Sequence, residues 1–195
     1  MAAHSVFSAS GATRWANCAG SMALCQGLHS KSGAAAMRGT AGHEVASECL
    51  DNDLSPFDFA SVRIRNDEGV LVEHEIDEDM QHQVYDYVEY VRGITGVRLV
   101  ETRVYYASAL GLTDDEAFGT GDAIIIDGTH VHIIDLKTGR GWVGAENNTQ
   151  LSLYAVGVVD ALEAVGEVVE QITMHIVQPA VHSVPATWTI NRNDL

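Results

Sequence analysis

Two aspartates and one of the chain's two lysines fall where they could seat a divalent cation. Residues 119–154 read GTGDAIIIDGTHVHIIDLKTGRGWVGAENNTQLSLY. Ala123 to Ile126 and Val131 to Ile134 are apolar, largely β-branched runs on either side of Asp127-Gly128, which predicts two antiparallel strands joined by a tight hairpin. A two-residue Asp127-Gly128 turn sets Ile126 opposite Thr129 and Asp122 opposite Ile133. The period of two then puts Asp122, Ile133, Asp135 and Lys137 on one sheet face. Asp122 and Asp135 become diagonal neighbours, roughly 7 to 8 Å apart. Two converging carboxylates at the end of an apolar strand repel each other, and a hard cation such as Mg2+ or Mn2+ relieves that repulsion. Leu136 turns its side chain to the buried face, leaving its carbonyl as a further candidate ligand. The Lys137 ammonium could orient a metal-activated water or stabilise charge developing on a phosphoryl group. The plain alternative for Asp135 and Lys137 is an ordinary ion pair at a strand end.

The wider pattern combines Gly119-Thr120-Gly121-Asp122, then Asp135-Leu136-Lys137, then Gln150 and Tyr154 four apart on a helix. It resembles the PD-(D/E)XK nuclease superfamily, in its RecB-like and phage exonuclease branch, where a G-x-x-D strand, a D/E-x-K strand and a Q-x-x-x-Y helix follow in this order. The resemblance extends from about Ser8 to Gln178 and implies a restriction-endonuclease-like core that hydrolyses DNA with Mg2+ or Mn2+. By it, Asp122 and Asp135 are metal ligands, Lys137 is the catalytic lysine, and Gln150 and Tyr154 contact the DNA beside the metal. Without the resemblance, the last two read as a half-buried pair on an amphipathic helix. Gly39-Thr40-Ala41-Gly42-His43-Glu44 resembles the helix whose histidine is a third metal ligand in RecB-like members, which makes His43 a candidate. Ser8 to Ser21 resembles the S-x-x-x-R-W-x-x-C-P-G-S opening of phage members, with Ala19 where the proline stands. The iron–sulfur subgroup needs three cysteines near its C-terminus, and none follows Cys49 here. The implied setting is phage or prophage DNA recombination in a bacterial host cell, beside an annealing protein. Two other readings remain: a catalytically silent binding or assembly module on the same fold, and a phosphoesterase acting on RNA or nucleotides.

Bulk properties bound these readings. At 195 residues and 46% hydrophobic, the chain is expected to be a single domain over residues 1–195 with a helical segment at 1–52. No apolar run reaches the ~18 residues of a membrane span, and the opening MAAHSVFSAS has neither a basic nor an apolar signal region, so a cytoplasmic address is expected. Cys18, Cys25 and Cys49 show no C-x-x-C and read as reduced, mostly buried thiols. The net charge of −16 opposes autonomous DNA binding through a basic face. Residues 66 to 90 concentrate acids without a Lys or Arg, which suggests a solvated face away from the cleft. Arg14, Arg38 and Arg140 could form a local positive lip, with oligomerisation or a basic partner supplying the rest.

The elements that must position these groups follow in order. The apolar spacing predicts a short helix carrying Trp15, Cys18, Met22 and Cys25, a small-residue loop over 27–36, and a helix capped by Thr40. Glu44 and Glu48 share one face of that helix, as outer-shell groups or simply for solubility. Residues 51–67 read as an irregular connector and Val70-Leu71-Val72 as a short edge strand. Asp77 caps an amphipathic helix to Val91 whose tyrosines read as packing groups. Residues 97–107 form a strand with Leu99, Glu101, Arg103 and Tyr105 on one face and Val100, Val104 and Tyr106 on the other, making Glu101 a further acid candidate. Residues 108–118 are expected to be an acidic lid or disordered tip. A helix over 145–165 crosses between parallel strands, and strands over 171–178 and 186–190 complete an α/β fold. The expected architecture is a mixed sheet flanked by helices in the order α-α-α-β-β-β-α-β-β.

Overall fold

The computed structural model describes residues 5–18, 20–25, 33–66 and 68–195. Its centre is a mixed five-stranded sheet built from β3 (Val97–Tyr105), β4 (Phe118–Asp127), β5 (His130–Leu136), β6 (Gln171–Val177) and β7 (Ala186–Asn191), adjacent in that order. Only β5 and β6 run parallel. The helix α6 (Thr149–Ala164) connects them, as parallel neighbours require. Helices α3 (Ala34–Asn52) and α4 (Glu78–Arg92) cover the opposite face. The expected α/β class is therefore met, with one addition. Ser61–Arg65 (β1) and Leu71–Glu75 (β2) form a separate two-stranded antiparallel sheet, where the sequence suggested a connector and a lone short strand.

The central strands are apolar on both faces because both faces are covered. Ile124, Val131, Ile133, Ile172, Met174 and Ile176 pack with Leu151, Ala155, Val158 and Val159 of α6. Ala123, Ile125, Ile134, Leu136 and Val177 pack with Val45 and Cys49 of α3 and with Met80, Val84, Val88 and Val91 of α4. Gly157 lets α6 approach β3 closely, since a Cβ there would overlap the Tyr105 carbonyl and the Val104 side chain.

Several expectations change at element ends. The N-terminal helix is two short ones, α1 (Ala12–Asn17) and α2 (Ser21–Cys25). Part of the anticipated 27–36 loop, residues 27–32, lies outside the described residues, and Ala34 to Ala36 are already helical. Three alanines favour that extension, so Gly33 is the N-cap and Thr40 sits inside α3, its hydroxyl donating back to the Ala36 carbonyl (3.2 Å). Asn148 caps α6 by accepting from Gln150 and Leu151 N–H, so the helix begins four residues later than expected. Residues 108–118 are neither lid nor free tip. They hold a short helix α5 (Ala107–Leu110) and a turn whose Glu116 carbonyl accepts from Ser5 Oγ (2.7 Å) and Phe7 N (2.9 Å). Of the three thiols, only Cys49 is buried; Cys18 is exposed. Among the described residues, no helix is long and apolar enough to cross a membrane.

Candidate metal site

The β4–β5 turn is Gly128-Thr129 rather than Asp127-Gly128, since Asp127 pairs with His130. Gly128 adopts φ 60° at the first central position, as type II′ turns prefer. The pairing moves by two in its residue sum, which preserves every side chain's face but changes its partner. Ala123 pairs with Ile134 and the ladder then opens; one step further in the same register, Asp122 stands directly opposite Asp135, not diagonal to it. Asp122 Oδ2 accepts the Leu136 N–H at 2.7 Å, a donor that a backbone carbonyl would take if the ladder continued.

The same rung continues into β3. Val100 pairs with Ala123 and Thr102 with Gly121, so Glu101 lies opposite Asp122 and three acids, Glu101, Asp122 and Asp135, span adjacent strands. Glu101 has φ 43°, a left-handed conformation that costs a non-glycine residue roughly 1 kcal/mol or more. The twist reverses the strand's alternation. Val100 packs in the layer under α3 and α4 while Val104 packs in the α6 layer, although simple alternation puts them on one face. The expected grouping of Leu99, Glu101, Arg103 and Tyr105 therefore does not persist through Glu101.

Helix α3 brings His43 to this rung. Gly42 makes the approach possible: a Cβ there would stand 2.8 Å from Met80 Sδ of α4 and 3.1 Å from Thr138 Cγ2, just past Lys137. His43 Nδ1 lies 3.2 Å from Asp122 Oδ1. One ligand atom from each of His43, Glu101 and Asp122 falls within 4.8 Å of the others. Burial opposes the charged imidazole, but the Asp122 charge and hydrogen bond, aided by Asp135 and Glu101, carry its pKa up to about 9. The surrounding chain and then the Asp122 charge push the Glu101 carboxyl up to about 7.

Asp135 is 2% exposed and turned toward α6. Its Oδ1 accepts from Gln150 Nε2 at 2.8 Å, and Lys137 Nζ donates to Gln150 Oε1 at 3.2 Å. Lys137 Nζ also lies 2.7 Å from Asp135 Oδ2, close enough for charge compensation but at an angle that leaves this buried oxygen without a hydrogen-bond donor. Burial, then repulsion from Asp122, raises the Asp135 pKa against the pull of Lys137. The group of His43, Glu101 and Asp122, one imidazole and two carboxylates, is of the kind a hard divalent cation takes, while Asp135 stands outside that group, held by Gln150 and Lys137. Gln150, Asp135 and Lys137 thus form one linked unit.

Tyr154 has a different place from its neighbour on the helix. It is 5% exposed, its ring lies where a Gly119 side chain would stand, and burial raises its pKa while Gln150 opposes the shift. It packs against Gly119 and the Tyr106 ring within the α6 layer, so it does not present the surface expected of a DNA contact. Arg140 is exposed in the loop after Lys137. Arg38 is not part of a positive lip, because it is bound to Asp77 and Asp79 at 2.9 Å each. Arg14 is exposed on α1, and Glu44 and Glu48 point to solvent, with Glu48 accepting from Asn52. Tyr87 carries no signal in the sequence, because its place in the α4 apolar stripe reads as packing alone. Its hydroxyl is buried without a hydrogen-bond partner, and burial, followed by the charges of Asp122, Asp135 and Glu101, raises its pKa well above the usual value.

A family model described as "Protein of unknown function (DUF2800)" matches residues 4–195, nearly the whole chain, and the chain belongs to that family.

Proposed function

We propose that this chain is a Mg2+- or Mn2+-dependent DNA nuclease with a restriction-endonuclease-like core, of the RecB-like or phage exonuclease kind, serving phage or prophage DNA recombination. The observation that carries this reading is the rung of three acids, Glu101, Asp122 and Asp135, with His43 above it and Lys137 beside it. Asp122, Asp135, His43 and Glu101 would hold the cation, with the Leu136 carbonyl as a further oxygen. The bound ion supplies an acidified water and positive charge for the phosphodiester. Gln150 fixes the Asp135 carboxylate and the Lys137 ammonium relative to each other, so the amine is positioned before substrate arrives. From there Lys137 can orient the attacking water and donate to a non-bridging phosphoryl oxygen as charge builds. Arg140 supplies a nearby cation for the adjacent phosphate. Labelled duplex and single-stranded DNA incubated with Mg2+ test this directly. Lys137→Ala and Asp122→Asn should each cut hydrolysis by roughly a hundredfold or more; loss of label that persists unchanged in both variants removes the reading.

A net charge of −16 favours a second reading, a silent module on the same fold that binds or assembles without hydrolysis. It predicts no heat on titration with Mn2+, whereas the nuclease reading predicts a saturable site.

A further inference from the structure

The connection from Lys137 to α6 has little regular structure but is tightly held. Gln178, 2% exposed, donates Nε2 to the carbonyls of Gly139 and Gly141 (both 2.7 Å) and accepts from Val143 N at 3.1 Å. At the far end, Asn148 caps α6 with its Oδ1 and donates Nδ2 to the Gly144 carbonyl at 2.8 Å. Inside the first clasp, between Gly141 and Val143, Trp142 is 70% exposed, against 45% for Tyr105, the next most exposed aromatic among the described residues. Its ring edge lies over Gly144, where a Cβ would stand 2.6 Å from Cη2. The loop therefore presents an indole to solvent from a rigid base, next to the exposed Arg140.

We infer that Trp142 is a stacking platform for an unpaired base of a DNA strand whose phosphate lies at the acid rung. This inference rests on the nuclease reading for the position of that phosphate. Trp142 follows Lys137 by five residues, a span of at most about 18 Å, so the base it holds belongs to the reacting strand within a short distance of the cut. Charge supplies the second argument. A chain at −16 gains little from counterion release, so its grip on DNA must come from contacts that do not require a basic surface. Base stacking on an aromatic face is such a contact, and every base offers a π face, so it is tolerant of sequence. An unpaired base is required because a base inside a duplex has both faces covered. The substrate class is accordingly a single-stranded end or overhang, with affinity that depends only weakly on salt.

The test uses the full chain with Ca2+ in place of Mg2+, binding labelled oligothymidylate and, separately, a blunt duplex of equal length. Trp142→Ala should weaken single-strand binding roughly tenfold to a hundredfold, the range one stacked base supplies. Trp142→Phe should restore most of it, and the blunt duplex should change less than about twofold. The wild-type salt slope for the single strand should match about one or two phosphate contacts. Single-strand binding by Trp142→Ala within twofold of wild type, or a phenylalanine variant no better than alanine, overturns the proposal. Hydrolysis measured beside binding separates the two readings. Wild-type cleavage that survives Trp142→Ala with unchanged KM for single strands sinks the platform and leaves the nuclease standing. Trp142-dependent binding with no cleavage in any metal sinks the nuclease and leaves the platform. A wild type that binds no DNA at all ends both.

Discussion

If His43 is a ligand, metal binding must expel a proton from it. In the metal-free protein burial disfavours the imidazolium, yet Asp122 together with Asp135 and Glu101 outweighs burial and brings the pKa up to about 9. Ligation needs a free lone pair on the ring, so at pH 7 the proton must first leave. Two pH units below that value correspond to about 2.7 kcal/mol at about 1.36 kcal/mol per unit. Each rise of one pH unit between about 7 and 9 should therefore tighten Mn2+ binding about tenfold, with a plateau beyond. The window is best opened above pH 7, where Glu101, raised to about 7, is already ionising. Anaerobic calorimetry in two buffers of different ionisation enthalpy counts the released proton, and the expected value approaches one per Mn2+ at the lower end of the window. His43→Gln should bind without this pH dependence. The same shift has a signed consequence without metal. The His43–Asp122 contact stabilises the fold fully below the unfolded pKa of about 6.5, and that contribution is lost as pH rises through about 9. Wild-type affinity that varies less than twofold across the window, or a tenfold slope that survives in His43→Gln, refutes the assignment of His43.

Three further outcomes are expected. His175 is buried and bonded to Tyr90 and His132; burial, then the charges of His132 and His130, lower its pKa to about 3. A depressed histidine gives stability that is complete above about pH 6.5 and lost as pH falls toward 3, about 2 kcal/mol by pH 5. Urea unfolding at pH 7 and 5 should show that slope in the wild type and lose most of it in His175→Phe; equal slopes contradict the burial argument. Gln150→Leu removes the donor to Asp135 and the acceptor for Lys137, so it should destabilise the fold by about 1 to 3 kcal/mol and lower activity at least tenfold. An unchanged Tm and rate would show that the linkage is incidental. Gly157→Ala forces a methyl into the β3 backbone and should cost about 1 to 3 kcal/mol by thermal unfolding, and a neutral result would mean α6 stands further from the sheet than described.

Much of the layout was legible because its signals are local. The isoleucine runs announced β4 and β5, Asp77 announced the start of α4, and it was the motif resemblance, not spacing alone, that set Gln150 at one site with Asp135 and Lys137. The site's finer geometry was not legible, for identifiable reasons. Asp127-Gly128 and Gly128-Thr129 are both acceptable turn pairs, and choosing between them decides whether Asp122 faces Ile133 or Asp135. Because the alternative turns differ by one position in each strand, the predicted faces survived the error. Glu101 was harder: a non-glycine residue at φ 43° within a strand has no sequence signature, and it alone defeats the alternation rule for β3. Tyr87 was hidden by its own helix, since an apolar stripe does not reveal where a hydroxyl ends. Arg38 was misplaced because its partners, the α4 N-cap Asp77 and Asp79 in the first turn of α4, lie about 40 residues away.

The central claim is that Asp122, Asp135 and Glu101 meet with His43 and Lys137 around one divalent cation. Crystals soaked in Mn2+ and measured near the manganese absorption edge read this most directly. The account predicts an anomalous peak at the rung, within about 2.0 to 2.4 Å of an Asp122 carboxylate oxygen and in reach of Asp135, Glu101 and His43 Nδ1 or Nε2. A peak confined to the exposed acids of α4, or none at saturating Mn2+, contradicts it.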